Sequence, residues 1–325
     1  MKIGLVSYEF KNGEIEYNIK KIEKAIISAN GKADLLCFGE TFLQGFDSLS
    51  WNYEIDKNIA ITRDSFIMDK LKNLSEKYNI DLGIGYIERE REQIFSSFVV
   101  IEKGKIIHNY RRITKNWKEY LITDEHYCEG ETSETFIYKN TEFKIALCGD
   151  FWICPEKFKT NGILLWPVYC NFSKDEWENT EQYDYAKQSK LASDNVLLVN
   201  SITKDEPISA GGAYYFKNGK IDNKFFALTD GTTQESLYYG DILRFNVPTA
   251  KGLKNELLEL TIPIRKKGKP VFIINYGKGQ KKREFLKREA LKTKFVSELL
   301  PSFNADKLYE TIEDYNDEDI NSLSE

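Results

Sequence analysis

The residues best placed for chemistry are Cys148 and Glu40, because each follows an apolar segment of strand-forming residues. Residues 143–147 predict a buried strand, and Gly149-Asp150 breaks it, so the Cys148 thiol is expected on a strand-to-loop corner. Glu40 closes the apolar run DLLCFGE, which follows an amphipathic helix over about residues 14–29. Catalytic groups collect at strand ends in α/β folds. The thiol and the carboxylate therefore occupy equivalent places on two predicted strands.

A cysteine nucleophile needs a base to become the reactive thiolate, and histidine is the usual partner. The chain contains only His108, on a predicted strand, and His126, in a polar loop. Glu40 is therefore the favoured base. A structural role is the alternative for each residue: Cys148 as a small buried hydrophobe, and Glu40 as the cap of a turn that begins at Thr41.

Five segments occur in an order and spacing that resemble the nitrilase superfamily of carbon-nitrogen hydrolases. They are FGETFLQGF (38–46), SSFVVIEKGKIIHNYRR (96–112), ALCGDFWICPE (146–156), NVLLVNS (195–201) and GGAYYFKNGKI (211–221). The resemblance covers residues 1–248 and implies an α-β-β-α sandwich. It also implies a Glu-Lys-Cys triad, in which the cysteine attacks a nitrile or amide carbon, the glutamate acts as base and acid, and the lysine steadies the tetrahedral intermediate.

The lysine of that triad is missing at its expected position. Counting from the hairpin glycine Gly104 reaches Arg112, where the family has a Tyr-Arg-Lys run. Either Arg112 supplies a fixed positive charge, or Lys115 or Lys118 supplies an amine from a shifted register. Arginine keeps its proton, so it can stabilise an oxyanion but cannot shuttle a proton. The spacing favours Arg112.

The resemblance also implies a second glutamate and residues that border the substrate. Glu125 is preferred over Asp124 for the second carboxylate, because it lies seven residues after Lys118. Substrate-binding candidates are the backbone at Gly149, the aromatic ring of Trp152 and the amide of Asn171.

Composition supports one large α/β domain at residues 1–248 and an extension at 249–325. The 325 residues are 41% hydrophobic, enough for a substantial core. In the extension, ten Lys or Arg between residues 265 and 288 predict a basic helix, and eight Asp or Glu after residue 301 predict an acidic tail. In the family such extensions cross to a partner and helix faces pack subunits together, so a homodimer or higher homo-oligomer is expected.

Charge and cysteine content narrow the expected partners and location. A net charge of −5 gives no reason to expect nucleic acid, and no apolar run is long enough to span a membrane. Five cysteines without framework spacing are typical of a reducing compartment, and with two distant histidines they form no metal-ligand cluster. The expectation is a cytoplasmic protein without metal or cofactor.

The leading functional hypothesis is thiol-dependent hydrolysis of an amide or N-carbamoyl small molecule. The Cys-Gly-Asp turn is closer to the amidase and carbamoylase branches of the family than to the nitrilases, so an amide is favoured over a nitrile. Nitrile hydrolysis stays open. From another class, a non-catalytic binding subunit that keeps the fold but has lost the lysine is the second hypothesis.

Overall fold

The computed structural model describes most of the first 226 residues and several short strands beyond them. The described ranges are 1–119, 121–172, 176–204 and 209–226, with the backbone of 236–237, 246–247, 259–260, 264–266, 269–271 and 274–275. The chain divides into two compact units, one of residues 1–117 and 123–252, the other of residues 118–122 and 253–325.

Helices in the described ranges are α1 Ile15–Ala29, α2 Tyr53–Asp56, α3 Phe66–Tyr78, α4 Asp150–Ile153 and α5 Gln182–Ser189. Short 3-10 turns span Phe46–Ser48, Lys115–Trp117 and Pro155–Phe158, and a π turn, Trp177–Glu181, leads into α5. No helix of these ranges is long and apolar enough to cross a membrane.

The strands of the first unit are β1 Ile3–Ser7, β2 Leu35–Phe38, β3 Asp81–Glu90, β4 Gln93–Glu102, β5 Lys105–Arg111, β6 Phe136–Tyr138, β7 Thr141–Ile145, β8 Ile163–Val168, β9 Asn195–Thr203, β10 Ser209–Lys217, β11 Lys220–Phe226, β12 Ser236–Leu237 and β13 Asn246–Val247. Within the described residues they form two sheets, ordered β12-β1-β2-β3-β4-β5 and β13-β11-β10-β9-β8-β7-β6. β1 to β3 are parallel in the first sheet and β7 to β9 in the second, and each set continues into an antiparallel meander.

Strand alternation separates the two faces of the first sheet. In β2, Leu35 and Cys37 join the core shared with the second sheet, whereas Leu36 and Phe38 join the core under the helices. α1 and α3 pack on that outer face through buried residues spaced by three and four, as an amphipathic helix does. α5 packs through Tyr185 and Ala186 against the second sheet. The result is the α-β-β-α sandwich expected from the sequence.

Main-chain hydrogen bonds join the two sheets where β1 and β9 end. The Ile202 amide donates to the Tyr8 carbonyl at 3.0 Å, and the Phe10 amide donates to the Ile202 carbonyl at 2.9 Å. Beside them, the Gly212 amide donates to Ser7 Oγ at 2.7 Å. These bonds fix the register between the sheets, and we call them the inter-sheet hydrogen bonds.

The predicted elements of the first unit agree with the structure, with one clear difference in helix length. The sequence predicts helices over about residues 14–29, 62–77 and 175–193. The first two are α1 and α3, whose bounds differ by a few residues. The third is shorter, because the π turn replaces its first part and the chain must turn before β9 begins at Asn195.

The second unit contains two small antiparallel pairs. β14 Glu259–Leu260 pairs with β17 Ile274–Asn275, and β15 Ile264–Lys266 pairs with β16 Lys269–Val271. The first part of the predicted basic helix is therefore strand. Its later part and the acidic tail lie outside the described residues, and the homo-oligomeric state stays a prediction.

Two isoleucines of α1 test the layer assignment. Ile22 is fully buried under the first sheet, whereas Ile27 is 56% exposed. Ile22→Ala should lower the free energy of unfolding by about 2 to 5 kcal/mol, because it leaves a cavity in the core. Ile27→Ala should change it by less than about 0.5 kcal/mol. Urea unfolding measures both, and equal effects would contradict this packing of α1.

Candidate active site

Cys148 lies on a strained turn between β7 and α4. Its φ of +41° is in the left-handed region, which residues other than glycine rarely adopt. Its amide donates to the Pro167 carbonyl at 3.0 Å, and its own carbonyl accepts a bond from Trp166 Nε1 at 2.9 Å. This bonding holds the strained conformation and leaves the thiol half-buried at the strand end, as the sequence predicted.

Three successive carbonyls at the end of β8 hold both Cys148 and Glu40. Pro167 O accepts the Cys148 amide, and Val168 O accepts the Glu40 amide at 3.3 Å. Tyr169 O accepts the Cys148 thiol at 3.7 Å. Because Glu40 belongs to the first sheet and Cys148 to the second, this short segment brings the carboxylate and the thiol together.

Glu40 lies two residues beyond β2 and is almost completely buried, with its side chain 1% exposed. Ser96 Oγ donates to Glu40 Oε1 at 3.0 Å. Gly85 in β3 makes the approach possible, because a Cβ there would lie 2.3 Å from the Gly39 carbonyl and 2.5 Å from the Thr41 amide nitrogen. The carboxylate is thus fixed from two strands of its own sheet.

Arg112 follows β5 directly and forms a buried ion pair with Glu40. Its Nη1 donates to Glu40 Oε1 at 2.9 Å, and its side chain is 4% exposed. Nη2 donates to Asn116 Oδ1 at 2.6 Å. Burial acts to lower the pKa of Arg112, but the charges of Glu40, Cys148 and Asp150 outweigh it and raise the pKa above its usual value. The guanidinium is therefore permanently charged at the thiol-carboxylate site.

Three further cations lie close to Arg112 in the sequence. Lys115 is exposed on the 3-10 turn after Arg112, and Lys118 belongs to the second compact unit. Arg111 makes two hydrogen bonds to the buried carboxylate of Glu88, at 2.9 and 2.7 Å. The ion pair that the structure shows with Glu40 is made by Arg112.

Asp150 is a site residue that the sequence did not reveal beyond its turn-forming role. It is fully buried and accepts hydrogen bonds from the amide and hydroxyl of Thr114, from the Ile113 amide and from the Tyr110 hydroxyl. Its Oδ1 lies 3.9 Å from Arg112 Nε. Asp150 thus anchors both the segment after Arg112 and the turn that carries Cys148.

Glu125, the predicted second carboxylate, and Glu129 differ in burial. Glu125 is exposed. Glu129 has a buried Oε1, and the neighbouring Gly130 amide donates to the Arg112 carbonyl at 2.8 Å. The role of Glu125 stays a prediction, and Glu129 is a further carboxylate that spacing from Lys118 did not single out.

The three predicted substrate-binding residues have different surroundings. A Cβ on Gly149 would lie 2.2 Å from Asn116 Nδ2 and 2.5 Å from Arg112 Nη2, so only glycine leaves room for that guanidinium. Trp152 is half-buried and contacts the Tyr185 ring edge-on at 4.9 Å. Asn171 Oδ1 is buried without a hydrogen-bond partner among the described residues.

Hydrogen-bond donors at the site come mainly from Arg112. The amides of Cys148 and Asp150 already donate to the carbonyls of Pro167 and Leu147. Arg112 carries five N–H groups, and its Nε is buried without a hydrogen-bond partner in the described part of the chain. In the same ranges no three His, Cys, Asp or Glu side chains converge as metal ligands would.

The sequence profile of the carbon-nitrogen hydrolase family matches residues 2–161, which contain Glu40, Arg112 and Cys148. This part of the chain belongs to the nitrilase superfamily. An (R)-stereoselective amidase from Pseudomonas sp. is 23% identical over 150 residues, which are 46% of this chain and 52% of the amidase. A glutamine-dependent NAD(+) synthetase from Synechocystis sp. is 28% identical over 153 residues, 43% of this chain and 26% of the synthetase. The matches thus span about half or less of the length of these relatives.

Solved structures share the nitrilase fold at low sequence identity. A CN-hydrolase superfamily protein from Xanthomonas campestris has a TM-score of 0.58 at 15% identity, over 73% of this chain and 89% of that protein. An amidase from Nesterenkonia sp. has a TM-score of 0.57 at 14% identity, over 77% of this chain and 91% of the amidase. These likenesses establish the fold of this nitrilase-superfamily member.

Gly149→Ala tests the contact between the turn and the guanidinium. The new Cβ should displace Arg112 from the thiol and slow alkylation of Cys148 by iodoacetamide about tenfold at neutral pH, because a cysteine is less reactive without a neighbouring cation. Gly13→Ala is a control for general destabilisation, since alanine is strained at its φ of +76° while nothing lies within 4 Å of its Cβ position. Peptide mass spectrometry follows the rate at Cys148, and equal rates in both variants would contradict the assigned contact.

Asp150 predicts a specific dependence of stability on pH. Burial raises its pKa from 3.8 to about 6, although the Arg112 charge and the hydrogen bonds from Thr114 and Tyr110 act in the opposite direction. Between these pH values the folded protein holds a proton that the unfolded chain has released. Because the folded state binds more protons there, the stability due to Asp150 falls as the pH rises through this window.

Asp150→Asn removes this titration. The unfolding free energy of the wild type relative to the variant should fall by up to about 3 kcal/mol between pH 4 and pH 7. Urea unfolding at a series of pH values measures the difference. A constant difference would show that Asp150 titrates alike in the folded and unfolded states.

Proposed function

We propose that this protein hydrolyses a carbon-nitrogen bond of a small amide or N-carbamoyl compound through a Cys148 acyl-enzyme. The observation that carries the proposal is the buried Glu40–Arg112 ion pair at 2.9 Å beside the Cys148 turn. A carboxylate, a fixed cation and a presented thiol are the groups that thiol acyl transfer requires. The named amidase relatives agree with this reaction class.

The first half of the reaction forms the thioester. Glu40 takes the Cys148 proton, and the sulfur attacks the carbonyl carbon of the substrate. The carbonyl oxygen gains negative charge and is stabilised by Arg112, because the neighbouring Cys148 and Asp150 amides already donate to backbone carbonyls. The C–N bond then breaks, and Glu40 returns the proton to the departing ammonia or amine.

The second half regenerates the thiol. Water loses a proton to Glu40 and attacks the thioester carbon, and the acid product leaves as Cys148 recovers its proton. Arg112 takes no part in these proton transfers, since a guanidinium stays protonated in proteins. Glu40 is therefore the single acid-base group of the proposed cycle, and Arg112 supplies charge alone.

Asn171 is the proposed contact to the substrate nitrogen. Its Oδ1 is a buried acceptor without a hydrogen-bond partner among the described residues, and the N–H groups of a carboxamide or ureido substrate would satisfy it. A nitrile has no N–H group. This residue therefore favours an amide or carbamoyl substrate over a nitrile.

An ammonia-release assay over a panel of primary amides and N-carbamoyl amino acids tests the mechanism. Cys148→Ala and Glu40→Gln should each lower kcat/KM at least about 100-fold, because they remove the nucleophile and the base. Arg112→Ala should lower it by a similar factor, about 3 kcal/mol in transition-state stabilisation, and Arg112→Lys should keep part of the activity. Circular dichroism establishes that each variant is folded.

Matched controls separate the site from general damage. Cys154→Ala changes another buried cysteine, and Lys115→Ala removes the exposed cation next in the chain. Both should retain wild-type turnover. If wild-type protein releases no ammonia from any substrate, or if Arg112→Ala is as active as the wild type, the catalytic proposal fails and the non-catalytic binding subunit becomes the better description.

A further inference from the structure

A second thiol, that of Cys170, lies next to the Cys148 thiol. β7 and β8 are adjacent parallel strands, and Cys148 and Cys170 follow their ends. The Cys148 thiol donates to the carbonyl of Tyr169, the residue bonded to Cys170, at 3.7 Å. The Cys148 side chain also raises the pKa of Cys170, as expected of neighbouring thiols. The proposed mechanism makes no use of Cys170.

Cys170 is held in place from the neighbouring strands. Asn200 of β9 makes two hydrogen bonds with it, accepting from its amide at 3.1 Å and donating to its carbonyl at 2.9 Å. Ser209 Oγ of β10 donates to the same carbonyl at 2.8 Å. The Cys170 sulfur lies 3.1 Å from the Tyr185 hydroxyl. This bonding holds the Cys170 backbone in place and keeps its sulfur beside the Tyr185 hydroxyl.

The two thiols differ in access, and the pKa of Cys170 is raised. Cys170 is 9% exposed, whereas Cys148 is half-buried beside the Arg112 guanidinium. The hydrogen bond with Cys148, and burial, raise the pKa of Cys170 well above its usual value. A soluble oxidant therefore reaches Cys148 first, while Cys170 remains a protonated thiol beside Cys148. This arrangement is that of an attacking and a resolving cysteine.

We propose that Cys148 and Cys170 form a reversible disulfide when the protein meets a peroxide. The Cys148 thiol loses its proton and attacks H2O2, an S–O bond forms, the O–O bond breaks, and the departing hydroxide takes up the released proton as water. The Cys170 sulfur then attacks the Cys148 sulfur, and the displaced hydroxide takes the Cys170 proton and leaves as water. In total two thiols and one H2O2 give one disulfide and two waters.

The disulfide would protect the nucleophile as well as block it. A sulfenic acid without a nearby thiol proceeds to sulfinic acid, which thiol reductants do not reverse. With Cys170 beside it, Cys148 would instead form a disulfide, which a dithiol reductant reduces back to the two thiols. The site would then be inactive under oxidising conditions and would recover afterwards.

Mass spectrometry of the full-length protein after H2O2 treatment tests this proposal without any assay of hydrolysis. In the wild type, a peptide pair joined through Cys148 and Cys170 should appear, and dithiothreitol should remove it. In Cys170→Ser and Cys170→Ala, Cys148 should instead accumulate sulfinic acid. Cys154→Ser is the matched control, because Cys154 is equally buried at 9% exposure and contacts the Asp150 carbonyl, and it should behave like the wild type.

The proposal is overturned if wild-type Cys148 reaches sulfinic acid without the linked peptide, or if the Cys170 variants and the wild type oxidise alike. The linked peptide can form in a protein that hydrolyses nothing, and hydrolysis can occur in a protein whose cysteines never join. The outcome is thus independent of the proposed hydrolase function.

Discussion

The buried ion pair between Glu40 and Arg112 is the interaction around which the site is arranged. Removing two charges from water is costly, and the cost is recovered only where geometry and further hydrogen bonds are favourable. Ser96 donates to the carboxylate, and Asn116 accepts from the guanidinium. Removing one partner of such a pair leaves an uncompensated buried charge. The segments on which these residues lie therefore have one favourable arrangement, and the Cys148 turn packs against the ion pair.

Arginine in place of lysine changes the character of this arrangement. A lysine beside a carboxylate can exchange its proton and accept many positions, whereas a guanidinium is planar, always charged and bonds in fixed directions. Here those directions reach Glu40 and Asn116, with the edge of the group against the Gly149 backbone. The absence of a Cβ at residue 149 leaves room for the guanidinium, and Asp150 anchors the segment that follows Arg112.

The sequence predicted most elements of the first unit, because these depend on local pattern. Apolar periodicity located α1 and the strands, whereas Arg112 was selected through the family resemblance, by its distance from Gly104. What it missed depends on contacts between distant segments. Asp150 binds residues more than thirty positions away, and Cys170 meets Cys148 only because β7 and β8 are neighbours. Spacing along the chain led to Glu125 and gave no sign of the buried oxygen of Glu129, since burial of a loop residue leaves little trace in its own neighbourhood.

The inter-sheet hydrogen bonds limit relative movement of the two halves of the site. Glu40 belongs to one sheet and Cys148 to the other, so sliding of the sheets would change the distance between carboxylate and thiol. Ile202 resists such sliding, because it is bonded through both its amide and its carbonyl to the segment after β1. Apolar side chains in a core can shift past one another in small steps, whereas a hydrogen bond is lost over less than an ångström. Backbone hydrogen bonds between the sheets therefore hold the distance between the carboxylate and the thiol, and small movements of one sheet against the other change this distance little.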